Sequence, residues 1–121
     1  MGYVSDGVLG TENAEDAYGA VVYFATEQAD REFQELFETR IKEPSVLGSV
    51  HAITALAGVD RRSVQIHVPR AKIQAWRDAY QRWFETDGVS AIPKKWREGT
   101  LRSALAEFEE LERLAWGPRP G

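Results

Sequence analysis

The sequence contains no cysteine and only two histidines among its 121 residues. Without thiols the chain has no disulfide, no thiolate nucleophile and no cysteine-based zinc site, which is typical of a reducing compartment. Long apolar runs are also missing, since no stretch approaches the roughly 20 residues that a membrane span needs. The first residues have neither the basic start nor the apolar core of a signal peptide. We therefore expect a cytoplasmic protein that does not enter a membrane.

Sequence motifs for catalysis or metal binding are absent as well. The two imidazoles, His51 and His67, have no second ligand at His-x-x-x-His or Glu-x-x-His spacing. The chain also lacks a phosphate-binding Gly-x-x-x-x-Gly-Lys motif and a Gly-x-Ser-x-Gly nucleophile elbow. We expect structural roles for both histidines, and we expect no catalytic residue, no metal and no cofactor.

Charge is distributed unevenly along the chain. Residues 1–60 hold eleven acids and three bases, residues 61–102 hold ten bases and four acids, and residues 103–121 hold four acids and two bases. The three segments carry −8, +6 and −2, within a total of −4. Fields of this kind steer partners without determining the fold. The distribution predicts an interaction surface but does not identify its ligand.

The length and an apolar content of 43% fit one domain with its own core, so residues 1–121 are treated as a single domain. Helical periodicity is clear in four segments. They cover residues 27–42, 46–57, 69–85 and about 95 or 100 to 115. Pro44, Gly58 and Gly117 mark helix ends. Residues 1–13 are predicted to be a loop and residues 117–121 a flexible tail.

Two further segments have the pattern of β-strands. Val21-Val22-Tyr23-Phe24 brings β-branched and aromatic residues together after Gly19, which predicts a strand over 20–25. Apolar residues between 14 and 29 also recur at helical spacing, however. Residues 63–68 alternate strictly between apolar and polar. The predicted fold is an α-rich α+β domain, with about four helices over a minimal two-stranded sheet in the order βααβαα. An all-α bundle is the alternative.

The outer face of the first long helix supplies the leading functional hypothesis. The acids that lie mostly opposite its apolar stripe are Glu27, Asp30, Glu35 and Glu38. A solvated helix face explains such acids. They also suit docking on a basic partner, as in inhibitors of nucleic-acid-binding enzymes. We therefore hypothesise a non-catalytic protein of the inhibitor or immunity type whose acidic face binds a basic macromolecule.

The basic middle segment supports a second hypothesis, a nucleic-acid-binding accessory module. This segment holds three of the four tryptophans, and interleaved aromatic and basic residues bind single strands by stacking and phosphate contacts. Trp76 and Trp83 share an apolar helical stripe and are expected in the core. The exposed candidates are Arg61, Arg62, Lys94, Lys95, Trp96 and Arg97. Folding of Trp96 back onto the core is the competing expectation for that side chain.

A third hypothesis is a structural component of a larger assembly, such as a phage particle. It would dock on a neighbour through Trp116 and the tail Arg119-Pro120-Gly121. An alternative is that the acidic and basic regions neutralise each other, either within the fold or between the subunits of a homodimer. Such pairing would remove the acidic face from any outside partner.

Overall fold

The computed structural model describes residues 12–38 and 44–118, and within these ranges the chain is helical with no β-strand. The elements are α1 (Glu12–Glu38), α2 (Val46–Val59), α3 (Arg61–His67), α4 (Arg70–Trp83), a π-helical turn (Phe84–Gly88), α5 (Val89–Ala91) and α6 (Lys94–Trp116). The all-α alternative is confirmed, and the α+β prediction is wrong. None of the helices in the described ranges is long and apolar enough to cross a membrane.

The structure describes only the last residues of the predicted N-terminal loop and the first residues of the predicted C-terminal tail. Residues 12 and 13, which were assigned to the loop, belong to α1. The remainder of that loop and residues 119–121 of the tail lie outside the described residues.

The segment expected to form the first strand is part of α1. Buried residues follow the helical spacing of three and four: Val22, Thr26, Ala29, Phe33 and Leu36. The β-prone residues Val21, Tyr23 and Phe24 are exposed instead. One buried position per turn is enough to hold this helix on the core, so the local preference of the exposed residues does not decide the structure.

The second expected strand, residues 63–68, is also wrong, because these residues belong to α3 and its end. Val64 and Val68 are fully buried at positions i and i+4, whereas Ile66 between them is 68% exposed. A strand would have placed all three valine and isoleucine side chains on one face. The apolar alternation was therefore coincidental, and the i, i+4 pair determined the burial.

Asp60 supplies the start signal of α3. Its carboxylate accepts hydrogen bonds from the backbone N of Arg62 at 3.2 Å and from Oγ of Ser63 at 2.9 Å. An N-cap of this kind stabilises a helix by about 1 kcal/mol. This cap is the sequence signal that favours a helix over a strand here.

An aromatic cluster joins α1, α4 and α6 at the centre of the core. The rings of Phe33 and Trp76 are stacked with centroids 5.5 Å apart, and Phe108 lies 6.1 Å from both Phe33 and Tyr80. Trp83 is completely buried. Trp76 and Trp83 are thus confirmed as core residues. The least polar helix, α2, packs mainly on α6 and α1.

Candidate interaction surfaces

The four acids of the docking hypothesis have different environments. Glu27 and Glu38 are exposed, whereas Asp30 and Glu35 are only partly so. Glu38 accepts a hydrogen bond of 3.0 Å from Nε2 of Gln34, one turn earlier on the same helix. The two exposed acids of this set, Glu27 and Glu38, therefore lie eleven residues apart on α1 and do not form a continuous row.

Asp30 is engaged inside the molecule. Its Oδ2 accepts a hydrogen bond from Nζ of Lys72 at 2.6 Å, and its Oδ1 accepts one from Nε1 of Trp76 at 2.9 Å. Both donors come from α4, within the basic middle segment. At this point the acidic and basic regions pair within the fold, and Asp30 holds α1 on α4.

Several of the exposed apolar side chains in the described residues lie on the N-terminal half of α1 and the neighbouring surface of α3. We call this group the α1 face: Ala20, Val21, Tyr23, Phe24 and Ile66. Phe24 and Ile66 are each 68% exposed. The Tyr23 ring meets the ring of Phe24 edge-on at 5.6 Å and that of His67 at 5.8 Å. Aromatic contacts therefore tie the exposed side chains of the two helices together.

A shallow cleft of about 590 Å³ runs between α1 and α3 along this face. Acidic side chains at its rim are Glu15, Asp16 and Asp60, and the basic side chain there is Arg62. The rim is therefore mainly negative. The sequence interpretation missed this surface because its aromatic residues were used as evidence for a strand.

The structure does not bring the six basic-segment candidates together. Arg61 and Arg62 start α3, which lies beside the C-terminal end of α6, where Nε2 of Gln65 donates a hydrogen bond of 2.7 Å to the carbonyl O of Ala115. Residues 94–97 form the opposite end of α6. At 1.5 Å per residue, the two groups are separated by roughly 28 Å along that helix.

At the start of α6, Trp96 is 60% exposed, so the expectation that it folds back onto the core is wrong. Nζ of Lys95 lies 4.8 Å from the centroid of the Trp96 ring, within cation–π distance. Arg97 is partly tied down, since its Nε donates a hydrogen bond of 2.9 Å to the carbonyl O of Ile92. We call the exposed surface around this ring the Trp96 face: Lys94, Lys95, Trp96, Gly99, Thr100 and Ser103.

Trp116, the fourth tryptophan, is used within the fold. Its Nε1 donates a hydrogen bond of 2.9 Å to the carbonyl O of Val68, and its side chain packs against the core. Only part of the indole surface is therefore available to a neighbouring protein.

The histidines make contacts between helices. Nδ1 of His51 contacts Oε1 of Glu107, which links α2 to α6 at the surface. The His67 ring lies against Tyr23, as described above. In residues 12–38 and 44–118, no three histidine or acidic side chains come together in a way that could hold a metal ion.

One carboxylate is buried between α1 and α2. Glu32 is 7% exposed and accepts hydrogen bonds from the hydroxyl groups of Ser45 and Ser49. Ser45 lies at the N-cap position of α2 but makes no side-chain capping bond. Its hydroxyl instead satisfies the carboxylate, so this cluster joins two helices.

Three comparisons with known proteins found no counterpart. No family model matches the chain, and neither the curated proteins nor the solved structures give a match.

Proposed function

We propose that this protein is a non-catalytic protein of the inhibitor or immunity type, acting in the cytoplasm, that binds a basic macromolecular partner through the outer side of α1. The observation that carries the proposal is the α1 face, where Val21, Tyr23 and Phe24 remain 46–68% exposed on one helix. Contiguous exposed apolar side chains with a polar rim are typical of protein interaction sites.

The apolar centre supplies the binding energy in this proposal. Burial of apolar surface contributes about 25 cal/mol per Å², and aromatic side chains near the centre of an interface are frequent hot spots. Phe24 is the most exposed of the aromatic side chains of the α1 face and lies between Ala20 and Glu27 on the outer side of α1. It is therefore the residue whose truncation should weaken binding most.

The surrounding acids select for a basic partner. Glu15, Asp16 and Glu27 are exposed around the apolar centre, and rim charges of one sign accelerate encounter with an opposite charge. Asp30 is left out of this docking set because its carboxylate holds Lys72 and Trp76. The proposal thus shifts the site from the middle of α1 to its N-terminal half.

Affinity capture from the native lysate at low and high ionic strength tests this function. The bait proteins are wild type, Phe24→Asp and Glu27→Lys, with Val89→Asp and Glu109→Lys as matched controls. Each control makes the same substitution type at an exposed position outside the α1 face. We expect a basic protein that the controls retain, that the two α1 variants lose, and that dissociates at high salt.

Direct binding between the purified proteins, measured by calorimetry, completes the test. Equal affinity of Phe24→Asp and Val89→Asp for the captured protein would remove the α1 face from the proposal. The α1 face could instead bind a second copy of this chain, and light scattering of wild type and Phe24→Asp tests this. A wild-type dimer that Phe24→Asp disrupts would identify the second copy as the partner of the α1 face.

A further inference from the structure

The Trp96 face combines an exposed aromatic ring with unpaired positive charge. Residues 94–102 contain four bases and one acid. Within the described part of the chain, the single acid, Glu98, pairs with Arg102 at 3.4 Å, and no ion pair involves Lys94 or Lys95. Neither ammonium group is therefore neutralised by an acid of the described residues, and that of Lys95 lies over the ring of Trp96.

Stability of the fold does not account for this arrangement. The first turn of α6 contains no acid, and lysines at the start of a helix are opposed by the helix dipole. Trp96 is also 60% exposed, whereas Trp76 and Trp83 are buried in the core. Both features cost stability, so a binding role explains them better than a structural one.

The surface beside the ring is open and carries hydroxyl groups. Gly99 has no atom within 4 Å of the position that a Cβ would take. Thr100 and Ser103 follow on the same side of α6, and with Leu47 of α2 they line a shallow cleft of about 400 Å³. One ring among small polar groups is suited to stacking, whereas a lipid surface requires a broader apolar face.

We infer that the Trp96 face binds single-stranded nucleic acid, with a base stacked on Trp96 and phosphates placed at Lys94 and Lys95. A flat ring stacks on any unpaired base, so a base takes the place that the Lys95 ammonium has over the ring in the unbound protein. The displaced ammonium then neutralises the backbone together with that of Lys94. Bases in a duplex are already stacked on each other, so a duplex offers this ring no free face. The site is separate from the α1 face and does not depend on the function proposed for it.

Fluorescence anisotropy with a labelled oligothymidylate of about ten nucleotides tests the inference. Two phosphates neutralised by Lys94 and Lys95 predict a slope of about −1.4 for the logarithm of the association constant against the logarithm of salt concentration. Trp96→Ala should weaken binding by about 5- to 150-fold, and Trp96→Phe should retain part of the affinity. Lys94→Ala/Lys95→Ala should weaken binding and flatten the slope.

Arg61→Ala/Arg62→Ala is the matched control, because it removes two positive charges at the other end of α6. We expect its affinity to equal that of wild type, with circular dichroism confirming that every variant is folded. Equal weakening by the two double variants would overturn the site, since diffuse charge would then explain binding. No binding at low salt would overturn it as well, as would binding of phosphatidylserine vesicles but not of the oligonucleotide.

Discussion

Nε1 of Trp76 donates a hydrogen bond of 2.9 Å to the carboxylate of Asp30, across the contact between α4 and α1. Lys72 binds the second oxygen of the same carboxylate at 2.6 Å. The acidic first half of the chain and its basic middle thus meet at one partly buried site. Part of the charge asymmetry of the sequence serves to hold the fold together, and the remainder lies on separate surfaces.

Asp30→Ala should lower the free energy of unfolding by about 1–3 kcal/mol, because the Trp76 indole N–H would lose its acceptor in a partly buried contact. Urea denaturation followed by far-ultraviolet circular dichroism measures this change. Glu27→Ala, at an exposed position of the same helix, is the control and should change stability by no more than about 0.5 kcal/mol. Equal effects of the two variants would show that Asp30 has no structural role.

The helical stripes that form the core were predictable from the sequence. The apolar stripe of α4 correctly predicted burial of Trp76 and Trp83, since both recur at helical spacing with Ile73 and Tyr80. Exposure of Trp96 could not be predicted in this way, because one tryptophan at a helix start has no periodic partner. Its position depends on how α6 packs against α2.

The two strand predictions were wrong for a related reason. Local β-propensity was decisive in the sequence interpretation, but Val21, Tyr23 and Phe24 are exposed and the buried positions beside them determine the structure. At residues 63–68 the N-cap at Asp60 was the informative signal. Asp30 was predicted to dock on a partner, but it makes a long-range contact within the fold. This contact depends on how α1 packs on α4, so it could not be predicted from the local sequence.

Gly88→Ala should destabilise the protein by about 1–3 kcal/mol through overpacking. A Cβ at this position would lie 2.9 Å from Cζ3 of Trp83, and that ring is completely buried and has little room to move. Gly48→Ala is the control, because no atom lies within 4 Å of its Cβ position. It should stabilise α2 by about 0.5–1 kcal/mol. The melting temperature should therefore fall for Gly88→Ala and rise for Gly48→Ala. A shift of both melting temperatures in the same direction would contradict this account.

Glu32→Ala should also destabilise, by about 1–3 kcal/mol, since the hydroxyl groups of Ser45 and Ser49 would lose their common acceptor between α1 and α2. Glu15→Ala, which removes an exposed carboxylate from the same helix, provides the comparison. If both variants had the same urea midpoint, the cluster of Glu32, Ser45 and Ser49 would contribute nothing to stability.

Stability should decrease in alkaline solution because of Tyr80. Burial raises the pKa of Tyr80 above its ordinary value of 10.0, so the folded protein holds the phenolic proton more tightly than the unfolded chain does. The stability that this difference provides is complete below pH 10 and is lost as the pH rises through the folded pKa. Burial, together with the negative charge of Asp60, also raises the pKa of Tyr18, which adds to the same trend.

Urea midpoints measured from about pH 8 to about pH 11 should therefore fall above pH 10 in the wild type. Tyr80→Phe keeps the buried ring and removes the ionisable group, so its midpoint should fall less steeply over the same range. Tyr18→Phe should also lessen the alkaline decline, because burial and the charge of Asp60 raise the pKa of Tyr18 in the folded protein. If the urea midpoint of Tyr80→Phe fell as steeply above pH 10 as that of the wild type, deprotonation of Tyr80 would not be linked to unfolding.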